Sequence, residues 1–129
     1  MEKGAKILLV DDDIDFVAAT KVILESKPYE VIVALNGDEA LQKAKEENPD
    51  LVLLDIIMPV RDGFNAAEQF KKDPQLSKIP VIILTSYAER RSETGIPVSA
   101  GYGLETEDYL EKPVSPEQLL NTVKKYLEK

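Results

Sequence analysis

Residues 50–63 read DLVLLDIIMPVRDG, and the reading of this stretch decides the fold. Leu51 to Leu54 is an unbroken apolar run, short enough for a strand covered on both faces. It stops on one carboxylate, Asp55, and is followed by Ile56, Ile57, Met58-Pro59 and then the turn pair Asp62-Gly63. A carboxylate at the carboxyl end of a buried parallel strand lies where open α/β sheets hold their ligands. An acid that merely ends a strand at the surface has the same local pattern, so the rest of the chain has to decide.

Outward from this stretch, strands and helices alternate. Ile7 to Val10 (ILLV) is a second short apolar run and ends on Asp11-Asp12-Asp13. A helix follows with Asp15 in its first turn, where the macrodipole favours acids. Its apolar stripe is predicted through Phe16, Thr20, Ile23 and Leu24. Tyr29 to Leu35 reads as a strand. Asn36 caps the next helix with Glu39 three residues on, a capping-box pattern. Ala40, Leu41 and Ala44 point inward, and the helix ends near Asn48-Pro49.

Beyond the central strand, Asp50 to Asp55, a helix is predicted from about Phe64 to Lys72. Val81 to Leu84 (VIIL) is a fourth strand ending on Thr85-Ser86, and Asp108 to Leu110 is a short fifth. Ser115-Pro116-Glu117-Gln118 opens a terminal helix, with cap, proline at the first position and an inward stripe of Leu119, Val123 and Leu127. Such alternation predicts a doubly wound α/β fold. Its five-stranded parallel sheet would have helices on both faces and right-handed crossovers. The 129 residues suit a single domain, 1–129. Residues 88–106 (AERRSETGIPVSAGYGLET) fit least well, and a long loop or a displaced fourth helix is expected there.

Composition narrows the chemistry. A formal net charge of −8 argues against sequence-independent binding to nucleic acid or to anionic lipid. No apolar stretch approaches a membrane span, and residues 1–6 lack the apolar core of a signal peptide, so a cytoplasmic location is the default expectation. There is no cysteine and no histidine. That removes disulfides, thiolates, histidine bases and histidine metal ligands, and leaves carboxylates, Lys, Ser/Thr, Tyr or a hard metal ion.

Polar groups now stand at four strand ends: Asp11 and Asp12, Asp55, Thr85, and Lys112 just before Pro113. In a sheet of order 2-1-3-4-5 the first and third strands flank the switch-point crevice, so Asp11, Asp12 and Asp55 converge at its mouth. Carboxylates packed together repel, and an all-oxygen set calls for Mg²⁺ or Mn²⁺. A carboxylate beside such an ion, with a lysine and a hydroxyl nearby, is equipped for phosphoryl transfer. Asp55 is the nucleophile, Lys112 offsets oxygen charge and Thr85 donates a hydrogen bond. Each residue also has a plainer role, as helix cap, solvated lysine or core aromatic in the case of Tyr109. It is the joint arrangement that favours a site.

Taken together, ILLVDDD (Ile7 to Asp13), NGDEAL (Asn36 to Leu41), PDLVLLDIIMPVRDGF (Pro49 to Phe64), PVIILTS (Pro80 to Ser86) and DYLEKPV (Asp108 to Val114) closely resemble the receiver domain of bacterial two-component response regulators. The likeness extends from Lys6 to Leu127 and implies the flavodoxin-like three-layer α/β/α fold of chemotaxis receivers. It implies that Asp55 accepts a phosphoryl group from a phosphohistidine on a sensor histidine kinase or histidine phosphotransfer protein. Asp11, Asp12, Asp55 and the backbone carbonyl of Ile57 would hold Mg²⁺ (or Mn²⁺). Lys112 would pair with Asp55 and then with the phosphoryl group, its bond to Pro113 being cis. Thr85 and Tyr109 would form the switch pair that alters a protein-binding surface for a downstream target.

On this reading the chain is no conventional enzyme and catalyses only its own phosphorylation and dephosphorylation. Ile57 and Tyr87 near the phosphoryl site would make the latter slow. The chain departs from the family pattern after the fourth strand: 27 positions separate Thr85 from Lys112, and TGIPVSAGYGLETE replaces the usual small-residue pattern. With no DNA-binding helix-turn-helix in the sequence, a stand-alone receiver is expected. Two alternatives remain: a small Mg²⁺-dependent phosphatase with Asp11 as nucleophile and Asp13 as acid, or a degenerate receiver that binds partners without phosphorylation.

Overall fold

The computed structural model describes residues 4–27, 29–55, 68–86, 108–112 and 114–127. Its elements run β1 (Lys6–Val10), α1 (Ile14–Glu25), β2 (Glu30–Ala34), α2 (Gly37–Glu47), β3 (Leu51–Asp55), β4 (Val81–Ser86), β5 (Asp108–Lys112) and α3 (Pro116–Leu127), with further helical residues at 68–72. All four strand pairings are parallel, and the sheet order is β2-β1-β3-β4-β5. Chain order and spatial order differ at β1, which lies between β2 and β3. The crevice of a doubly wound sheet opens there.

Burial follows strand parity. Leu8, Val10, Val52, Leu54, Val81 and Ile83 face one core with Ala40 and Ala44 of α2, Phe70 and Leu76. Ile7, Leu9, Leu51, Leu53, Ile82, Leu84 and Leu110 face the other, with Val17 and Leu24 of α1 and Leu119 and Val123 of α3. The central strand is buried along its whole length, which is why its sequence does not alternate. Two of the inward residues of α2 are alanine, so that helix lies close against the sheet.

Several strand boundaries and one helix face differ from the sequence expectation, β3 for instance beginning at Leu51 rather than Asp50. Strand β5 runs two residues further, through Glu111 and Lys112, because an edge strand needs only one sheet neighbour and tolerates charge. β1 takes in Lys6, whose backbone is held by Asp50. β2 is shorter than Tyr29 to Leu35 at both ends. On α1 the buried residues are Val17, Thr20 and Leu24, with Phe16 and Ile23 half-buried at the flanks of that face. The other caps conform. Asn36 Oδ1 accepts from the Glu39 N–H at 2.8 Å, and Ser115 Oγ accepts from the Gln118 N–H at 3.1 Å. The Glu39 carboxylate reaches past the cap to the Leu35 N–H at 2.8 Å. Asn48 ends α2 in the left-handed region at φ 50°, which a short polar side chain tolerates.

Candidate functional site

The site grows from the β1–β3 ladder. Ile7 pairs with Leu51 and each following residue with its counterpart, up to Val10 with Leu54. One step further along the same register, Asp11 stands beside Asp55. Both acids continue the side of the sheet that carries Leu9 and Leu53, since side chains alternate along a strand. Carboxylate oxygens of Asp11, Asp12 and Asp55 all lie within 4.8 Å of one another. Asp11 is fully buried and Asp55 only 4 % exposed, while Asp12 opens to solvent.

The chain turns sharply where β1 ends. Asp11 donates its N–H to the Ala34 carbonyl at 3.2 Å, extending the sheet by one bond. Its Oδ1 accepts the Asp13 N–H at 2.9 Å, an Asx-type turn that orients the carboxylate. Asp13 Oδ1 then accepts the Phe16 N–H at 3.1 Å as the N-cap of α1. The three consecutive acids thus divide: Asp13 starts the helix, and Asp11 and Asp12 join Asp55. The sequence left cap and ligand open for all three. The two-residue spacing from Asp11 to Asp13 is the sequence sign of that Asx turn.

Two buried acids and a third beside them, all within one oxygen–oxygen separation, are costly without a cation to offset them. The donor set is oxygen throughout, with one face open at Asp12. That fits a hard divalent ion keeping several waters, which is the habit of Mg²⁺. Among the described residues no other group of acids meets this description.

The neighbouring strand ends are placed by backbone register. Asp55 lies opposite Leu84, so Thr85 is the next residue on β4; Thr85 pairs with Glu111 and Ser86 with Lys112. Thr85 and Lys112 therefore stand at the same edge of the sheet as the acids. The expected roles of the Thr85, Tyr109 and Lys112 side chains, the Ile57 carbonyl, Tyr87, the bond before Pro113 and the conformation of Ala88 to Thr106 lie outside the described residues. No described helix is long and apolar enough to cross a membrane.

Comparison with known proteins agrees with this geometry. A family model for the response regulator receiver domain matches residues 7–124. Protein PilH of Pseudomonas aeruginosa is 39 % identical over 119 residues, covering 92 % of this chain and 94 % of that one. The alkaline phosphatase synthesis transcriptional regulatory protein PhoP of Bacillus subtilis is 37 % identical over 122 residues, but the match spans only 48 % of its length. Among solved structures, chemotaxis protein CheY4 of Vibrio cholerae superposes with a TM-score of 0.80 at 31 % identity, over 96 % of this chain and 99 % of that one. The receiver domain of sensor histidine kinase PA1611 from Pseudomonas aeruginosa, which holds a magnesium ion in its active-site cleft, does so with a TM-score of 0.83 at 25 % identity, over 98 % and 99 %. Receiver domains act in phosphorelay signalling with histidine kinases or phosphotransfer proteins, and bind a divalent metal at the acidic pocket. With a sheet of the expected order and its acids gathered at the switch point, this chain belongs to the response regulator receiver domain family.

Proposed function

We propose that this receiver is an active phosphoacceptor and that Asp55 carries the phosphoryl group. The observation that carries the reading is the meeting of Asp55 with Asp11 and Asp12 at the carboxyl ends of β3 and β1. A carboxylate oxygen of Asp55 attacks the phosphorus of a partner's phosphohistidine. The P–N bond breaks and its electron pair leaves with the imidazole, which takes up a proton; the product is an acyl phosphate. These 129 residues hold no histidine, so the group comes from a phosphohistidine outside them or from a small-molecule donor.

Asp11, Asp12 and Asp55, together with the Ile57 carbonyl, would hold Mg²⁺ or Mn²⁺, which supplies positive charge for the phosphoryl oxygens. Lys112 adds a second positive charge, and Thr85 donates a hydrogen bond once the group is attached. Movement of Thr85 with rotation of Tyr109 then passes the event to a protein-binding surface. Asp13 supports the phosphatase alternative poorly, since its carboxylate serves as the α1 cap. The test is labelling with acetyl phosphate and Mg²⁺, read by intact mass. One added phosphoryl group on the wild type and none on Asp55→Ala is expected. An adduct that survives in Asp55→Ala moves the acceptor elsewhere, and no adduct on either protein favours the phosphorylation-independent binding module.

A further inference from the structure

The two edges of the sheet are built differently. Strand β5 has Asp108, Glu111 and Lys112 among its five residues, charges of the kind that keep an edge from taking on another strand. Strand β2, at the opposite edge, has one charge at its start, Glu30. Val31 to Leu35 then runs on without a charge, a proline or a glycine. Short uncharged segments rich in β-branched residues, placed on an open edge, invite pairing with another copy.

The backbone of β2 alternates between its one neighbour and the outside. Glu30 donates its N–H to the Ala5 carbonyl at 2.9 Å and the Ala34 carbonyl accepts from Asp11, so the even-numbered residues face β1. The Val33 carbonyl and the Leu35 N–H therefore point away from the sheet. Side chains of α2 occupy both. Lys43 Nζ donates to the Val33 carbonyl at 2.6 Å, and Glu39 Oε1 accepts the Leu35 N–H at 2.8 Å. The other Glu39 oxygen lies 3.0 Å from Lys43 Nζ. A capping box would turn Glu39 back to the N–H of Asn36, but here it reaches one residue further, to the end of the strand. An ordinary i, i+4 pair on a helix surface accounts for the ion pair and for neither bond to the strand.

We infer that Glu39 and Lys43 close the β2 edge by standing in for one residue of a sixth strand, and that the occupant they exclude is β2 of a second copy. A strand added beside Ala34, whichever way it ran, would place an N–H on the Val33 carbonyl and a carbonyl on the Leu35 N–H. The ammonium supplies the first and the carboxylate the second, and the ion pair fixes their spacing. Edge pairing about a two-fold axis needs no match between side chains, because every copy offers the same backbone donors and acceptors. In such a contact the guard has to be displaced in both copies. Asp55 plays no part in it, so the inference stands apart from the phosphoacceptor reading.

Sedimentation equilibrium from about 10 µM to about 1 mM protein, at roughly 0.15 M salt so that long-range repulsion is screened, tests it. The wild type is expected to stay monomeric. Glu39→Ala combined with Lys43→Ala leaves the net charge at −8 and should associate at least tenfold more tightly. The exchange of Glu39→Lys with Lys43→Glu also keeps the charge and an ion pair. It sets donor against donor and acceptor against acceptor at the strand, and should associate likewise. In both variants amide exchange at Val31, Val33 and Leu35 should slow at least tenfold on association, while Ile32 and Ala34, which face β1, change little. Far-UV dichroism verifies the fold. Lys43→Met keeps the stem and removes only the donor, so it should associate more weakly and gives the same test should the double variants unfold. A wild type that associates as tightly as the variants, variants that stay monomeric, an exchanged pair that guards as well as the native one, or association without protection of the outward amides each overturns the assignment.

Discussion

Strand β3 carries an acid at each end, and the two could hardly be treated more differently. Asp50, just before the strand, is exposed. Its Oδ2 accepts the Lys6 N–H at 2.8 Å and its own N–H donates to the Lys6 carbonyl at 2.8 Å, so that it fastens β1 to β3. The Lys6 ammonium lies alongside, 3.1 Å from Glu47 and 3.2 Å from that residue's carbonyl. Five residues on, Asp55 is buried against two further carboxylates. The amino end of the sheet also holds a shallow cavity of about 500 Å³ lined by Ala5, Asp50, Lys78, Pro80, Tyr126 and Leu127. The same residue type ties two strands together at one end of β3 and joins a cluster of carboxylates at the other.

The largest contrast expected is in labelling. Asp55→Ala should lose the phosphoryl adduct entirely, whereas Asp50→Ala should keep it at the wild-type stoichiometry by intact mass. Equal loss in both would erase the distinction between the two ends. Next in size is the strand between them: Leu53→Ala removes a fully buried side chain and should cost about 2–5 kcal/mol in urea unfolding. A loss below about 1 kcal/mol would mean that β3 is less tightly enclosed than its burial indicates.

Divalent cations sharpen the comparison further. Saturating Mg²⁺ should raise the melting temperature of the wild type and of Asp50→Ala by several degrees, since about 2.7 kcal/mol accrues at a hundred times Kd. Asp55→Asn should melt higher than the wild type without Mg²⁺, through relieved repulsion, and should respond far less to the ion. Asp50→Ala itself should cost only about 1 kcal/mol, the worth of one hydrogen bond at the surface.

Smallest is the effect at the α2 cap. The Leu35 N–H and the Lys43 ammonium, 3.0 Å away, hold the Glu39 carboxyl below its ordinary value of 4.5. A depressed carboxyl stabilises the fold fully above the unfolded value. The contribution fades as pH falls from there through the lower folded value. Glu39→Ala should therefore cost about 0.5–1 kcal/mol at pH 7, the worth of a partly exposed cap contact, with the gap from wild type narrowing as pH falls below the ordinary carboxyl value. A gap that persists in acid would assign the loss to packing rather than to charge.

The buried strands were legible because four-residue apolar runs such as ILLV and LVLL leave few other readings, and the acids at their ends could be placed from sheet order alone. The inward face of α1 was not. Ile14, Phe16, Val17, Val22, Ile23 and Leu24 put apolar side chains nearly all round that helix, so periodicity defines no single face and does not mark Val17 as inward. The same excess left Ile14 and Val22 exposed. Within Asp11 to Asp13 the division between ligand and cap was hidden for a different reason. Aspartate does both jobs equally well, and only the turn geometry separates them.

The register of β1 against β3 has a consequence for heating. The spacing of Asp11 and Asp55 is held by a ladder in the middle of the sheet, under two hydrophobic layers, rather than by a loop. Amide hydrogens of such strands exchange only when the whole molecule opens. Two of the three carboxylates at the cation site should then keep their places until global unfolding. Affinity for the ion and protection of the central amides would disappear together, on one cooperative curve, with no earlier stage in which the fold survives and its acid cluster is lost.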